Sequence, residues 1–302
     1  MEKPFILHMF TPLAQMSPFD INMACDAGFN VVAAHTNVAL DQIAALTQDT
    51  IFSRGPKGVR RTGIFIGGRD NTLAADMLDT AKQAMFPPFE VSVFVDPSGA
   101  FTTAAAMVAC VERQLRKTHG TDLKGKSVMI FGGTGPVGAA AAVLAAQSGA
   151  RVGIVGREDV TRARRTAEAV NARYGVDVHP VEANTDALKL AMMREADVVL
   201  ATAKAGHRVV TKELLAEAPR LLVAADVNAV PPPGIEGLGP TDDGTKLPAA
   251  SGRAVGIGAL AIGNVKYQTE RGMFELMLTS EKAVYLDMRA AFAEARKHAG
   301  LA

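Results

Sequence analysis

Six residues, with glycine at the first, third and sixth positions, form the segment of this chain best suited to bind a phosphate group. They follow the apolar run SVMIF and open the small-residue stretch AAAAVLAAQ, as a turn between a strand and a helix would. The first glycine permits a tight turn, the second lets the backbone approach a pyrophosphate, and the third lets the helix pack closely on the sheet. The spacing therefore predicts a dinucleotide-binding turn formed by Gly133, Thr134, Gly135, Pro136, Val137 and Gly138.

An arginine follows the next predicted strand, RVGIVG, at the position that distinguishes the two nicotinamide dinucleotides. Arg157 lies roughly 20 residues beyond the last glycine of the turn. A carboxylate there would accept hydrogen bonds from the ribose hydroxyls, whereas a guanidinium offers a 2′-phosphate a planar fork. Arg157 therefore predicts a preference for NADP, its alternative being a solvated surface arginine. Glu158 and Asp159 come next and can serve a ribose diol, so NAD is expected as a second coenzyme.

The chain lacks a recognisable acid–base motif beside the dinucleotide turn. None of its six histidines falls in one, and it has neither a Tyr-x-x-x-Lys pattern nor a cysteine nucleophile signature. His207, in the segment AKAGHRVV, follows a predicted strand, and we expect it to be an ordinary polar loop residue, the alternative being a position near the coenzyme. This pattern fits a reaction that needs no general base.

Strand-like and helix-like segments alternate through the chain and predict an α/β fold with parallel sheets. The apolar runs are FILHMF, NVVAAH, GIFIGG and VSVFVD, then SVMIF, RVGIV, VDVHPV, DVVLATA, RLLVAADV and AVGIGALAIG. We expect two domains: an N-terminal α/β substrate domain over residues 1–120 and a Rossmann-type, doubly wound dinucleotide-binding domain over residues 121–263. Two further helices, in residues 264–302, are free to pack back on the first domain.

Two later strand ends belong to the predicted coenzyme path. In open α/β sheets, ligands lie outside the carboxyl ends of the strands. The small residues there also suit tight packing of strand on helix. The long Pro- and Gly-rich segment that follows is expected to form a site wall or lid. The expected coenzyme contacts at these strand ends are Thr202, Ala203, Asp226 and Asn228.

Composition and charge argue against several other classes of protein. Hydrophobic residues make up 48% and charged residues 21% of the chain, and the net charge is +1, so neither nucleic acid nor a membrane surface is an expected partner. The opening segment MEKPFILHMF lacks the features of a signal peptide. The two cysteines are far apart, so we expect no metal site and a reducing cytoplasm.

Several segments resemble the NAD(P)-dependent methylenetetrahydromethanopterin dehydrogenases of methylotrophic bacteria. They are LHMFTPLAQMSPFDINMACDAGF, ALTQDTIFSR, GVRRTGIFIGG, DPSGAFTTAAAMV, FGGTGPVG, AADVNAVPPPGI and GIGALAIGNVKYQ. The likeness runs nearly end to end. A more distant likeness is to the NADP-dependent methylenetetrahydrofolate/methylenetetrahydromethanopterin dehydrogenase, which shares the TTAAA and GTGPVG segments.

The resemblance implies oxidation of a methylene bridge on a tetrahydromethanopterin carrier to a methenyl bridge, with NAD(P)+ as hydride acceptor. This is a step of one-carbon metabolism in formaldehyde oxidation. The resemblance also implies a homo-oligomer, for which a trimer is one option. The chain lacks the tyrosine–lysine pair of the bifunctional folate dehydrogenase/cyclohydrolases, so strong cyclohydrolase activity is not expected.

Four residues are the expected contacts on the pterin side. Asp20, near the start of a helix, offers a carboxylate to an aminopyrimidine edge or a developing cation, and Lys266 matches a lysine shared with the folate-type relative. We expect both to act in catalysis. Thr102 and Thr103 open a long helix, where hydroxyls and free amides can meet a ligand. The alternative for Asp20 and the two threonines is a helix cap, and for Lys266 a surface lysine.

Three other functions remain open from the residues. The first is a methylenetetrahydrofolate dehydrogenase, because the residues alone do not select the pterin carrier. The second is another NADP-dependent dehydrogenase on the same plan, such as a shikimate-type or glutamyl-type enzyme, which would need an acid–base residue near the nicotinamide. The third is a non-enzymatic NADP(H)-binding redox sensor.

Overall fold

Parallel strands dominate both sheets of the structure, as the alternating segments predict. The structure is a computed structural model, and it describes residues 3–156 and 159–301. Within these residues, no helix is both long and apolar enough to cross a bilayer. The same residues hold no group of three or more His, Cys, Asp and Glu side chains placed to bind a metal.

Short strands and helices alternate up to a 20-residue helix. Side chains cap several of these helices: the Ser17 hydroxyl accepts the N–H of Asp20, and the Asp70 carboxylate accepts the N–H groups of Thr72 and Leu73. The elements are β1 (Ile6–Phe10), α1 (Pro18–Ala27), β2 (Val31–His35), a 3₁₀ turn (Leu40–Gln42), α2 (Ile43–Phe52), α3 (Gly55–Val59), β3 (Thr62–Ile66), α4 (Asn71–Gln83), β4 (Ser92–Val95), a second 3₁₀ turn (Pro97–Gly99) and α5 (Ala100–His119).

Strands and helices alternate again in the second half of the chain, whose first helix is rich in alanine. The elements are β5 (Ser127–Phe131), α6 (Pro136–Gln147), β6 (Arg151–Gly156), α7 (Val160–Tyr174), β7 (Val178–Glu182), α8 (Asp186–Glu195), β8 (Val198–Ala201), α9 (Lys212–Ala216), β9 (Val223–Asp226), β10 (Asp243–Lys246), β11 (Val255–Ile257), α10 (Ala259–Thr279), β12 (Tyr285–Leu286) and α11 (Met288–His298).

The first sheet has five parallel strands in the order β12-β4-β3-β1-β2. Strands β3 and β4 are buried along their whole length, as expected of central strands covered by helices on both faces. The rings of Phe65, Phe94 and Phe274 meet in this core with centroids 5.1–5.6 Å apart. Because Phe274 lies in α10, this helix packs on the first sheet.

The second sheet has seven strands in the order β10-β11-β9-β8-β5-β6-β7, and only the β10–β11 pair is antiparallel. Its order reverses at β5, which has β6 on one side and β8 on the other. Such a reversal opens a crevice at the carboxyl ends of the strands, where doubly wound sheets bind their ligands. Residues 138–145 of α6 are buried, so this alanine-rich helix lies close to the sheet.

One predicted element near the end of the chain is wrong, and a neighbouring segment contains a strand that was not predicted. The run AVGIGALAIG is not one strand: β11 ends at Ile257 and α10 begins at Ala259. The chain turns at Gly258, where an added Cβ would overlap the carbonyl oxygen of Gly239. The preceding Pro- and Gly-rich segment, expected to form a site wall or lid, contains the unpredicted strand β10, which pairs with β11.

Packing divides the chain into two units whose boundaries differ from the predicted ones. The first comprises Met1–Thr102 and Tyr267–Glu294, and the second Thr103–Lys266 and Ala295–Ala302. Most of α5 therefore belongs to the second unit, although the prediction extends the first domain to residue 120. The final residues join the second unit through an ion pair in which Arg296 lies 3.0 Å from the buried Glu112.

Two histidines on neighbouring strands of the first sheet share a hydrogen bond. The Nδ1 atom of His8 lies 3.2 Å from the Nε2 atom of His35, and the ring centroids are 5.4 Å apart. Burial lowers the pKa of His8, and the charges of His35 and Arg54 lower it further. The folded protein therefore favours a neutral His8.

Acidification should destabilise the protein through His8. Because the folded-state pKa lies below the unfolded value of about 6.5, stability is complete above that pH and is lost as the pH falls through the folded pKa. His8→Gln should flatten this dependence in thermal unfolding measured from about pH 7.5 to 5. The control is His179→Gln, which removes an exposed imidazole. An unchanged slope in His8→Gln would contradict this assignment.

Candidate functional site

The predicted dinucleotide turn lies at the carboxyl end of β5, where the order of the second sheet reverses. The tight turn itself is at Gly132, with φ of 76°, one residue earlier than the sequence predicts. A Cβ at Gly132 would lie 2.5 Å from the backbone nitrogen of Ala203, so only glycine fits. Gly133 instead packs against Ile154, whose Cγ2 atom would lie 2.9 Å from an added Cβ.

The other two glycines have the geometry that the motif predicts. Gly135 is extended and caps α6, and a Cβ there would meet only the Gly132 carbonyl oxygen, at 3.3 Å. Gly138 is tightly packed, because its Cβ would lie 2.5 Å from Oγ1 of Thr202. The Thr202 hydroxyl donates to the carbonyl of Phe131 at 2.8 Å and so joins the ends of β5 and β8. Pro136 is in the first turn of α6, whose free amides face the same end of the sheet.

A cavity of about 380 Å³ opens beside this turn. Its size suits part of a nucleotide, since ligand pockets usually measure ~300–1,000 Å³. The ends of β5, β6 and β8 all contribute to its wall, through Thr134, Gly156 and Ala203 among others. A dinucleotide with its pyrophosphate at α6 would place its adenosine half here.

Three cationic or titratable side chains on the cavity wall were not predicted as coenzyme contacts. They are Arg162 in the first turn of α7, and Lys204 and His207 after β8. His207 therefore lies at the candidate site, although the sequence suggests an ordinary loop residue. The only local signal for these positions is that each follows a strand end. Arg157 and Glu158, predicted to meet the ribose, lie outside the described residues.

Asp226 and Asn228, both predicted as coenzyme contacts, organise the loop that follows β9. The buried Asp226 carboxylate accepts the N–H groups of Asn228, Gly234 and Ile235 at 2.9, 2.7 and 3.3 Å. Burial raises the pKa of Asp226 despite these three hydrogen bonds, which lower it. The Asn228 side chain accepts from the Gly206 N–H at 3.2 Å and so ties this loop to the one after β8.

A small cavity of about 80 Å³ lies beside that loop. Asp226 and Asn228 both contribute to its wall, together with Gly258 and Ala259 at the start of α10. The two polar residues thus border a recess at the carboxyl end of β9, and their contact with the coenzyme stays a prediction. Their hydrogen bonds give them a structural task as well.

The order of the first sheet reverses between β1 and β3. At such a point an open α/β sheet forms a crevice that suits a ligand. The loops after β1, β3 and β4 contact one another there. A Cβ at Gly68, which has φ of 125°, would lie 3.3 Å from Cδ of Pro12, and the Ser98 hydroxyl donates to the Gly68 carbonyl at 2.6 Å. Ser98 has φ of 54°, which a non-glycine residue adopts only when its surroundings hold it.

Two of the predicted pterin contacts lie at this edge of the first sheet. Asp20 is in the first turn of α1, which follows β1, and it is buried. Thr102 is fully buried in the first turn of α5, and its hydroxyl donates to the Asp96 carboxylate at 2.5 Å. Asp96, at the end of β4, also accepts the N–H of Phe101 at 2.8 Å. Thr102 therefore helps to fix the start of α5.

The other two predicted pterin contacts, Thr103 and Lys266, are half-buried and belong to the second unit. The sequence suggests that Lys266 follows a strand, but in the structure it does not. It lies in the third turn of α10, because that helix begins at Ala259. Its side chain is thus on a regular helix.

Alanine at two positions of the dinucleotide turn should separate folding from binding. Gly138→Ala forces a clash with Thr202 and should lower the free energy of unfolding by about 1–3 kcal/mol. Gly135→Ala brings its methyl group only against the Gly132 carbonyl oxygen, at 3.3 Å, so it should cost less than Gly138→Ala, about 1 kcal/mol, while the methyl group blocks the pyrophosphate. Chemical denaturation and titration with NADP+ and NAD+ measure the two effects. Unimpaired binding by a folded Gly135→Ala would place the coenzyme elsewhere.

Comparisons with known proteins show the fold and the family of this chain. The family model described as "Methylene-tetrahydromethanopterin dehydrogenase, N-terminal" matches residues 18–98. The chain is 33% identical over 280 residues, 93% of its length and 94% of the relative's, to "Bifunctional protein MdtA" of Methylorubrum extorquens. The solved 5-ketofructose reductase of Gluconobacter sp. strain CHM43 superposes with a TM-score of 0.50 over 98% of this chain and 99% of the other, at 15% identity, and shows the fold alone.

A second curated relative is more similar. The "NAD(P)-dependent methylenetetrahydromethanopterin dehydrogenase" of Methylorubrum extorquens is 50% identical over 295 residues, which cover 98% of this chain and 99% of the relative. Such similarity over almost the full length of both chains includes the dinucleotide turn and both sheets. The chain therefore belongs to the family of the NAD(P)-dependent methylenetetrahydromethanopterin dehydrogenases.

Proposed function

We propose that this protein oxidises the methylene bridge of methylenetetrahydromethanopterin to a methenyl bridge by direct hydride transfer to NAD(P)+. One observation carries the proposal: the dinucleotide turn and its cavity lie at the switch point of the second sheet, in a chain 50% identical to a relative named for this activity. The redox-sensor alternative shares the turn and the cavity, so turnover is the property that distinguishes the two.

The chemistry needs no proton transfer. The methylene C–H bond breaks with both electrons, and the hydride joins C4 of the nicotinamide. The positive charge left on the carbon is delocalised over the two flanking nitrogens. Catalysis then depends on positioning the methylene carbon and on the electrostatic surroundings of the cation. This explains how the family can work without a histidine or tyrosine base.

The pterin-side residues in this proposal are Asp20, Thr103 and Lys266. Asp20 lies after β1, one of the two strands that border the crevice of the first sheet, and a carboxylate there favours a developing cation. Lys266 is suited to donate a hydrogen bond to a pterin oxygen rather than to act at the reacting carbon, where its charge would oppose the cation. Thr102 supports these residues indirectly, since its hydroxyl is engaged by Asp96.

The remaining details of the proposal come from the family likeness and, for the coenzyme preference and the compartment, from Arg157 and the cysteine content of the sequence. Tetrahydromethanopterin is the proposed carrier, with tetrahydrofolate as the alternative, and NADP is the proposed preferred coenzyme, with NAD also used. We propose a cytoplasmic homo-oligomer with a small-molecule substrate and no cyclohydrolase activity. The physiological setting is formaldehyde oxidation in one-carbon metabolism.

A spectrophotometric assay that crosses both pterin carriers with both coenzymes tests this function. We expect reduced coenzyme to form with methylenetetrahydromethanopterin, and the methenyl product to accumulate without decay above the uncatalysed rate. Asp20→Ala and Lys266→Ala should lower kcat on the order of 100-fold, because they misplace the reacting carbon, with little change in coenzyme affinity.

Matched controls are available on the surface. Asp26→Ala removes an exposed carboxylate from the same helix as Asp20, and Lys282→Ala removes an exposed lysine. Both should keep normal turnover. Coenzyme binding without turnover on either carrier would favour the redox sensor, and near-normal kinetics in Asp20→Ala and Lys266→Ala would dismiss the pterin-side assignment.

A further inference from the structure

One wall of the coenzyme cavity carries two opposite charges beside the end of β6. Asp159 caps α7, and Arg162 lies three residues later in the first turn of the same helix, so both side chains are on one helix face. Both border the cavity, next to Gly156. The adenosine ribose of a dinucleotide lies at this strand end. The wall therefore meets the part of the coenzyme in which NADP and NAD differ.

We propose that Arg162 and Asp159 together set the preference between the two coenzymes. Arg162 contacts the 2′-phosphate of NADP, and Asp159 accepts a hydrogen bond from the ribose hydroxyl of NAD. The inference rests on the proposed function, since it concerns the coenzyme of that same reaction. It adds a specificity determinant that does not involve the residues outside the described ranges.

Arg162 has the freedom that this role requires. Its side chain is exposed, and within residues 3–156 and 159–301 its guanidinium makes no ion pair or hydrogen bond. Arg164 and Arg165 are also exposed on α7, yet neither borders the cavity. Of these three arginines, Arg162 is the one placed to offer its planar fork to a phosphate.

Asp159 is fixed in position and ionised. Its Oδ1 atom accepts the N–H of Thr161 at 2.8 Å, which anchors the carboxylate at the start of α7. Hydrogen bonds from the side chain and backbone of Thr161 lower the pKa of Asp159. A carboxylate has about four acceptor positions, so a ribose hydroxyl can share this group with the cap. The same negative charge repels a 2′-phosphate.

The opposed charges predict a dual-specificity site rather than an exclusive one. A lone carboxylate at this strand end selects NAD, and a lone guanidinium selects NADP. With both on one wall, removal of either charge should shift the preference, and the two shifts should have opposite signs. A merely structural role for the pair would not produce such opposite shifts.

Titration calorimetry with 2′,5′-ADP and 5′-AMP tests the pair without any turnover, because these probes differ only in the 2′-phosphate. Arg162→Gln should weaken 2′,5′-ADP binding about 10- to 100-fold, the loss expected of a charge-assisted contact, and leave 5′-AMP binding unchanged. Asp159→Asn retains a capping side chain and should shift the ratio of the two affinities towards 2′,5′-ADP. The matched control Arg164→Gln removes an equal charge from the same helix and should change the ratio less than about threefold.

The inference is overturned if Arg164→Gln changes the ratio of the two affinities as much as Arg162→Gln does, which would indicate a general field effect. It is equally overturned if Arg162→Gln weakens the binding of both probes by the same factor. It is also overturned if the unsubstituted protein binds neither probe. Failure of the proposed function looks different: the protein would bind both probes and discriminate between them as described, yet would not oxidise either methylene carrier. Thermal unfolding of each variant confirms that the affinities refer to folded protein.

Discussion

The close approach of backbone between the ends of β5 and β8 is the constraint on which the coenzyme site depends. Gly132 has no room for a side chain against Ala203, and Gly138 has none against the hydroxyl of Thr202. These contacts hold the first turn of α6 against the sheet, so that its free amides meet an anion at the switch point. A single methyl group would separate the layers, and the cavity wall formed by the two strand ends would move with them.

Carboxylates at strand ends perform a second, repeated task in both units. Asp96 follows β4, Asp226 ends β9, and Asp159 precedes α7. Each accepts backbone N–H groups of the segment that comes next. An acid in such a place suggests catalysis or ligand binding when only the sequence is considered. In the structure it first fixes the conformation of a loop or helix start, because it accepts backbone N–H groups that have no partner within the helix or loop. Thr102 shares this role through Asp96, and Asn228 through its contact with Gly206.

The sequence predicts the local features of the site well and the non-local ones poorly. Gly135 and Gly138 follow from spacing alone, because their tasks concern the turn and the helix that they belong to. The tight turn at Gly132 could not be predicted, since Ala203, about 70 residues away, decides it. The cavity position of Arg162 has the same cause: it depends on where α7 starts relative to the ends of β5 and β8. The strand predicted over AVGIGALAIG fails because the run is apolar throughout, and buried strands and buried helices then look alike.

Both sheets present the carboxyl ends of parallel strands at a point where the strand order reverses. In the second sheet the start of α6 lies there, and in the first sheet the buried Asp20 and Thr102 follow the neighbouring strands. The central claim is that a hydride passes between the two ligands and no proton moves. Isotope transfer tests it most directly, by mass spectrometry of the reduced coenzyme. With dideuterated methylene substrate in ordinary water, the account predicts one deuterium per reduced nicotinamide, and with unlabelled substrate in deuterium oxide it predicts none. Deuterium from the solvent at C4 of the nicotinamide, or its absence when the substrate is labelled, would contradict the account.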